Sequence, residues 1–447
     1  MTEQIYDTLP DSFNTLVIRE ETKRFDIEDV EQINIDMKLN LDSKDIELYK
    51  AYFKKRNIQP TDIELFDLAQ SNSEHSRHWI FNGRFCIDDN YKSDTLFELV
   101  KKPLKNHYGN SVVAFRDNSS AIRGFPSLLL NPIHMSNPSK YLLHPVEIDY
   151  TLTAETHNFP TGIAPFQGAT TGIGGRIRDN IAIGRGGNIV AGTAGYCVGE
   201  IDIINQNKAY KILTEASDGA SDYGNKIGEP IILGFARSFK QTIQEQVFEW
   251  DKPIMFTGGI GSVLHKNINK HEPVNNNIIT RIGGPAYRIG LGGGSASSDS
   301  NNENNNNTSA VQRGDAGMEN KVVRTVRNIS STTDENIILS IHDQGAGGMA
   351  NVTKEIVSPI GGEVFLDKVN LGDKSLSSLE IWGAEYQEQV TMLIDEKNKD
   401  LVQSVCAREN VPIEFVGSVK ETGKIEVFDK DNALIVNLDL DEKLNNI

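Results

Sequence analysis

Glycine placement constrains this chain more than any other feature of its sequence. The 38 glycines are only slightly above the usual share of about 7%, yet many gather in clusters, notably around 168–175 and 345–348. Short β-like runs at 112–115, 201–204 and 231–235 alternate with these clusters, as expected where strand ends feed tight loops. The pattern over 85–270 predicts one α/β domain.

Residues 1–40 are acidic and weakly periodic, and are expected to form a tail or irregular lead-in. The stretch 41–84 predicts a helical linker segment. There Ile46, Tyr49, Tyr52 and Phe53 recur at helical spacing, and Thr61 with Glu64 makes a capping box for a short helix through Leu68. Ser71 with Glu74 makes a second capping box, and Gly83 is placed to stop its helix, which carries His75, His78 and Trp79 on one face. After the turn-rich stretch 267–277, a second unit spans 279–440. Its signals are helical periodicity at Met318, Val322, Val326 and Ile329, a strand at 337–341, a glycine loop, and a helix that must end before Pro359. A strand at 390–394, a helix at 401–408 and strands near 413–419, 424–428 and 433–438 complete an α+β pattern, and a 201–204 strand belongs to the first unit. The asparagine-rich stretch 299–308 has too little apolar content to pack and reads as a mobile surface loop.

At roughly 150 residues per domain, 447 residues make two or three packed units, and a 38% hydrophobic share rules out wholesale disorder. With 45 Lys and Arg against 62 Asp and Glu, the net charge of -17 excludes a nonspecific grip on nucleic acid or an anionic membrane. No apolar run approaches the roughly 18 residues a membrane span needs, and the acidic start Met1-Thr2-Glu3-Gln4 lacks signal-peptide features. The expected compartment is the cytosol. Cys86, Cys197 and Cys406 are widely spaced and form no C-x-x-C pair, which fits a reducing environment and neither a disulfide framework nor structural zinc.

The densest chemistry is Glu155-Thr156-His157-Asn158-Phe159-Pro160, followed by the small-residue stretch from Gly168 to Asp179. Such a stretch is either a backbone cradle for a polyphosphate, with Arg176 or Arg178 adding charge, or a set of tight turns. Glu155 and Asp179 can bring in magnesium. No lysine follows the glycines, so this is not the ordinary phosphate loop. The second cluster, His342-Asp343-Gln344-Gly345-Ala346-Gly347-Gly348, lies between a predicted strand and helix, where a helix N-terminus favours anions and Asp343 can hold a cation. A tight strand-to-helix connection is the plainer reading of it. His75 and His78 are spaced for metal ligation or for a polar helix face, and no H-E-x-x-H accompanies them. Gly195-Tyr196-Cys197-Val198-Gly199 mimics a nucleophile elbow. The alternation after it predicts a strand where that motif needs a helix, so Cys197 reads as a buried structural cysteine. The polar stretches 216–225 and 380–388 either line a ligand site or make turns.

Together, the stretch Ser71-Asn72-Ser73-Glu74-His75-Ser76-Arg77-His78-Trp79, residues 155–160, 168–179 and 342–348 resemble the phosphoribosylformylglycinamidine synthases of purine synthesis, in the motif order of the long single-chain form. The resemblance runs from about residue 20 to 440. It implies a helical linker, then a PurM-like N-terminal domain that pairs through its sheet and a PurM-like C-terminal domain, as in aminoimidazole ribonucleotide synthetase. It also implies ATP and Mg2+ as cofactors, and an activity in which ATP phosphorylates the amide oxygen of formylglycinamide ribonucleotide and ammonia displaces the phosphate. By motif position, the resemblance makes His75 and His157 catalytic, and Glu155, Asp179 and Asp343 metal ligands. Nucleotide contacts fall to His78, Gly168, Ala169, Thr170, Thr171, Gly172, Gly174, Gly175 and Arg176, and substrate contacts to Thr156, Asn158, Arg178, Gln312, Glu385 and Gln387. Where many relatives read E-S-Q-E-R, this chain has Glu385-Tyr386-Gln387-Glu388-Gln389, and Thr153 replaces a frequent lysine.

The long form also carries an N-terminal small domain, a second synthetase half and a glutaminase, none of which is found here. The expected partners are formylglycinamide ribonucleotide, ammonia, and either a second copy or a second synthetase half, with the glutaminase supplied elsewhere. Two further readings stand beside the ligase: a non-catalytic module that binds nucleotide or a full-length synthase, and a histidine-rich metallohydrolase.

Overall fold

The computed structural model describes residues 19–73, 78–294, 310–332 and 335–440, so His75, Glu74 and the 299–308 stretch lie outside the described residues. Side-chain caps start the second and third N-terminal helices. Helix α1 (Val30–Asp36) leads to α2 (Ser43–Arg56), opened by an Asp42/Asp45 capping box and closed by left-handed Asn57, and to α3 (Asp62–Ser71), opened by the Thr61/Glu64 box. The α3 cap also docks the helix, because the Thr61 hydroxyl donates to the Ile435 carbonyl and Glu64 accepts the Asn437 N–H. Residues 30–40 are not an irregular lead-in: Val30, Ile33 and Leu39 are buried with Phe53 and Leu65. Ser71 ends α3, where its hydroxyl donates to Asp67 at 3.3 Å; the capping box read for it needs Glu74, outside the described residues. The short α4 (Trp79–Asn82) does stop at Gly83. A hairpin, β1 (Cys86–Ile87) and β2 (Asn90–Tyr91), and helix α5 (Leu96–Asn106) follow.

The first sheet uses β3 (Ser111–Val113), β4 (Ser120–Pro132), β5 (Tyr141–Thr156), β6 (Asn188–Val198), β7 (Ile231–Ser238) and β10 (Ile254–Leu264), in the order β3-β4-β5-β10-β6-β7. A side hairpin, β8 (Lys240–Ile243) and β9 (Gln246–Glu249), interrupts the sequence between β7 and β10. Helices α6 (Asn158–Ile163), α7 (Pro165–Ile181) and α8 (Lys208–Ile227) pack on one face only. Among the described residues the other face is bare: Leu152 lies opposite Ile260, and both are exposed, as are Leu233 and Phe235. The expected strand at 201–204 is a turn, because Asp202 caps it through the Asn205 amide groups and Asn207 then opens α8. Cys197 is a buried residue within β6, as read from the sequence.

The second sheet is β12-β14-β11-β15-β13-β16-β17, built from β11 (Ile278–Gly283), β12 (Ser340–Asp343), β13 (Gly362–Phe365), β14 (Gln389–Ile394), β15 (Ile413–Val419), β16 (Lys424–Phe428) and β17 (Leu434–Asp439). Both its faces are covered. One meets α1–α3 with α10 (Gly348–Val357) and α11 (Ser378–Gly383). The other meets α9 (Ala316–Ser331) and α12 (Lys399–Glu409), and shares its core with Ile173 and Ile177 of α7 and Tyr223 of α8. That common core fixes the two sheets relative to one another. No described helix is long and apolar enough to cross a membrane.

Candidate active site at the seam between the sheets

Strand β5 runs into α6, so Glu155, Thr156 and His157 leave the first sheet together; β12 ends on Asp343 and hands the chain to α10 through a glycine turn with positive φ at Gly347 and Gly348. These two strand ends face a single cleft of about 620 Å³. The first unit contributes Glu155, Thr156, His157, Thr171, Gly172, Gly175, Arg178 and Asp179 to its walls; the second contributes Gln312, Asp343, Glu385 and Gln387, and His78 lies at its edge.

The stretch from Gly168 to Gly175 is neither a phosphate loop nor a set of turns. It forms the middle of α7, where N–H groups point along the axis to the preceding turn and cannot ring an anion. Its glycines serve close packing: a Cβ on Gly168 would fall 2.3 Å from Thr161 N, and one on Gly172 2.8 Å from His157 Cβ. Ala169 is core, the Thr170 hydroxyl donates to the Gly219 carbonyl, and Gly174 faces Gln387 and Tyr223. Arg176 turns away from the cleft into a fully buried ion pair with Glu229, with Nε donating to Thr257 Oγ1 at 2.8 Å. Asn158 also points elsewhere, accepting the Met255 N–H at 2.9 Å.

His157 Nδ1 lies 2.6 Å from the Gly168 carbonyl, to which it donates. In the neutral ring this leaves Nε2 as the basic nitrogen. Glu385 accepts the Gly294 and Gly347 N–H groups at 3.0 and 3.3 Å and is hydrogen-bonded by Gln312, whose carbonyl accepts from Gln387 Nε2 at 2.6 Å. Burial pushes Glu385 up to about 7. Arg178 Nη1 sits 3.2 Å from Glu319, while Arg178 Nε and Gln387 Oε1 are buried with no hydrogen-bond partner among the described residues. Such orphaned atoms are rare unless something else satisfies them.

Among the described residues, five carboxylates (Glu155, Asp179, Asp343, Glu355 and Glu385) line the cleft against the basic side chains of Arg178 and Lys354. A polyphosphate entering it needs added positive charge. Asp179 is raised well above the ordinary carboxylate range by burial and then by Glu155 and Asp343; burial likewise raises Asp343. Glu155, still reached by water, is likewise raised, chiefly by the protein packed round it. An all-oxygen donor set of this kind suits Mg2+ better than a softer ion. It is not a ready-made cage: the described residues contain no group of three or more His, Cys, Asp or Glu ligands around one point. Instead, Asn118 Nδ2 donates to Asp343 at 2.7 Å and lies 3.4 Å from Asp179.

The sequence reading missed Asn118, Lys354 and Lys270. Lys354 Nζ bonds Asp67 and lies 2.6 Å from Ser71 Oγ, tying the linker to the cleft wall; its position two turns into the helix after the second glycine cluster is a usable signal. Lys270 contacts Asp117, Asn118 and the His342 ring, and no local pattern marks it. Burial, followed by Lys270, pushes His342 down to about 3, so its ring is neutral near pH 7.

Two family models match, the formylglycinamide ribonucleotide amidotransferase linker domain over residues 30–78 and the C-terminal domain of AIR synthase related proteins over 276–430. The phosphoribosylformylglycinamidine synthase of Dictyostelium discoideum is 47% identical over 99% of this chain, and that of Homo sapiens 44% identical over 90%. The chain spans only 35% and 31% of their respective lengths. T. maritima PurL has the same fold at 20% identity. Its structure described as complexed with FGAR has a TM-score of 0.63, covering 88% of this chain and 55% of that one; the structure complexed with ATP has 0.61, covering 89% and 54%. The chain belongs, as a partial segment about one third as long as its full-length relatives, to the phosphoribosylformylglycinamidine synthase family.

Proposed function

We propose that this chain is one half of an ATP- and Mg2+-using carbon-nitrogen ligase that converts formylglycinamide ribonucleotide to formylglycinamidine ribonucleotide. One observation carries the reading: Asp179 of the first unit and Asp343 of the second lie within 3.4 Å of the same Asn118 nitrogen, in one cleft. Bound Mg2+ would neutralise phosphate charge there, held by Glu155, Asp179 and Asp343. Thr171, Gly172 and Gly175 offer a close-approach wall for the nucleotide beside His78. Arg178, Gln312 and Gln387 orient the ribonucleotide, with Thr156 and Glu385 beside them. Orientation of this kind supplies much of the rate in phosphoryl transfer. His157, with Nδ1 committed to the Gly168 carbonyl, takes the proton released when ammonia displaces phosphate from the phosphorylated amide. The T. maritima PurL structures described with FGAR and with ATP support the choice of ligands. His75 keeps the catalytic role implied by its motif.

The ammonia comes from a glutaminase supplied elsewhere, and the bare sheet face carrying Leu152, Ile260 and Leu233 receives the second synthetase half. A cytoplasmic location goes with this reading. Calorimetry with MgATP and formylglycinamide ribonucleotide tests it: binding of both is expected, with the nucleotide heat lost in Asp179→Ala. No heat from either ligand overturns it. The bare face also favours a second reading, a non-catalytic module that binds nucleotide or a full-length synthase. Ammonia-supported turnover by the purified chain rejects that module.

A further inference from the structure

Asn118 lies in the loop between β3 and β4, at the point where the two units meet, and its amide is engaged at both ends. Nδ2 faces Asp343 and Asp179 at 2.7 and 3.4 Å; Oδ1 accepts from Lys270 Nζ at 3.3 Å. Lys270 is itself anchored, 2.7 Å from Asp117 and 3.0 Å from His342 Nε2. Asp117, almost wholly buried, in turn accepts the Gly184 N–H at 2.9 Å. An amide can meet two carboxylates only with its nitrogen end, because its oxygen would repel them. The ammonium on the far side favours the same orientation and holds the amide from behind.

We propose that Lys270 is a positioning residue that acts through Asn118 to hold the Asp179 and Asp343 carboxylates at a separation fit for a divalent cation. The proposal deepens the ligase reading and rests on it for the identity of the cation ligands. Groups that orient metal ligands from behind commonly change metal affinity by about 10–100-fold when removed. The sign of the effect separates positioning from simple charge: deleting a nearby cation should by Coulomb's law tighten binding of a second cation, whereas losing the clamp weakens it.

The experiment titrates Mn2+ alone into the full chain, followed by electron paramagnetic resonance of the free ion, so that no nucleotide or turnover is required. Lys270→Met and Asn118→Ala are each expected to weaken Mn2+ binding by about 10-fold or more, while Lys270→Arg keeps it within about threefold of wild type. In the Asn118→Ala background, Lys270→Met should bring no further weakening, since its route has already been cut. Unchanged or tighter binding in Lys270→Met, additive losses in the double variant, wild-type affinity in Asn118→Ala, or no Mn2+ binding by the wild type would each overturn the clamp. Should Lys270→Met not fold, the Asn118→Ala and Lys270→Arg results decide. A wild type that binds Mn2+ but no ATP sinks the ligase reading, and the Mn2+ shifts still decide the clamp.

Discussion

The two sheets differ in how they are covered. In the seven-stranded sheet, β11 and β14 are buried along their whole lengths, with the linker helices on one side and α9 and α12 on the other. In the six-stranded sheet, α7 and α8 cover one face, while Leu152 and Ile260 on the other are exposed, as is nearly the whole of the edge strand β7. The linker is thus part of the second unit's fold, and the first unit is finished only on one side. The covered side gives the largest expected effect. Trp382 is fully buried on α11, with Nε1 donating to Asp67 of the linker at 3.0 Å. Trp382→Ala should cost about 3–5 kcal/mol, read as a lower midpoint in urea unfolding. A loss below about 1 kcal/mol would mean that the linker is not a structural cover.

Between the sheets, the seam adds a pH-dependent contribution. Glu388, on the second unit, accepts the Tyr223 hydroxyl of α8 at 2.6 Å and the Asp315 N–H at 2.7 Å. Burial, and next Glu319, push it up to about 8 from an ordinary value of 4.5. The folded chain therefore holds a proton that the unfolded chain releases, so this residue's contribution to stability falls as pH rises from about 4.5 to about 8, then levels. Glu388→Gln keeps both acceptor contacts without the ionisation. At pH 9 it should be more stable than wild type by about 2–4 kcal/mol, an advantage that fades by pH 4.5. Thermal melts across that range check it, and parallel curves for the two proteins would rule it out.

The second sheet was largely legible in the sequence, because β14, α9 and α12 announce themselves through local periodicity. So was Asp343 at a strand end before a glycine turn. The 168–175 stretch was misread for a physical reason: glycine density marks either a loop or a helix pressed against its neighbours, and only the packing partner distinguishes them. Asn118 and Lys270, 152 positions apart, meet solely through tertiary structure. The glycines can be tested directly. Gly168→Ala forces a Cβ onto Thr161 N and should lose about 1–3 kcal/mol. At Gly175 a Cβ meets only Arg178 Nη2, at 3.8 Å, so Gly175→Ala should gain about 0.5–1 kcal/mol of helix propensity. Equal effects at both positions would contradict a helix packed by this face.

The smallest effect on the chain itself is expected on the bare face. Leu233 lies on β7 at the sheet edge, 69% exposed, and its side chain has little packing to lose. Leu233→Lys should change the stability of the isolated chain by less than about 0.5 kcal/mol. Its consequence lies in association, because a charge placed in an apolar interface must be desolvated without a partner. Mixed with the separately expressed second synthetase half, the wild-type chain should form a complex in sedimentation velocity, and Leu233→Lys should weaken that complex by about 10-fold or more. If the substitution instead unfolds the lone chain, the face is already covered from within. If it leaves the complex untouched, the second half docks elsewhere and the contrast between the sheets has another cause.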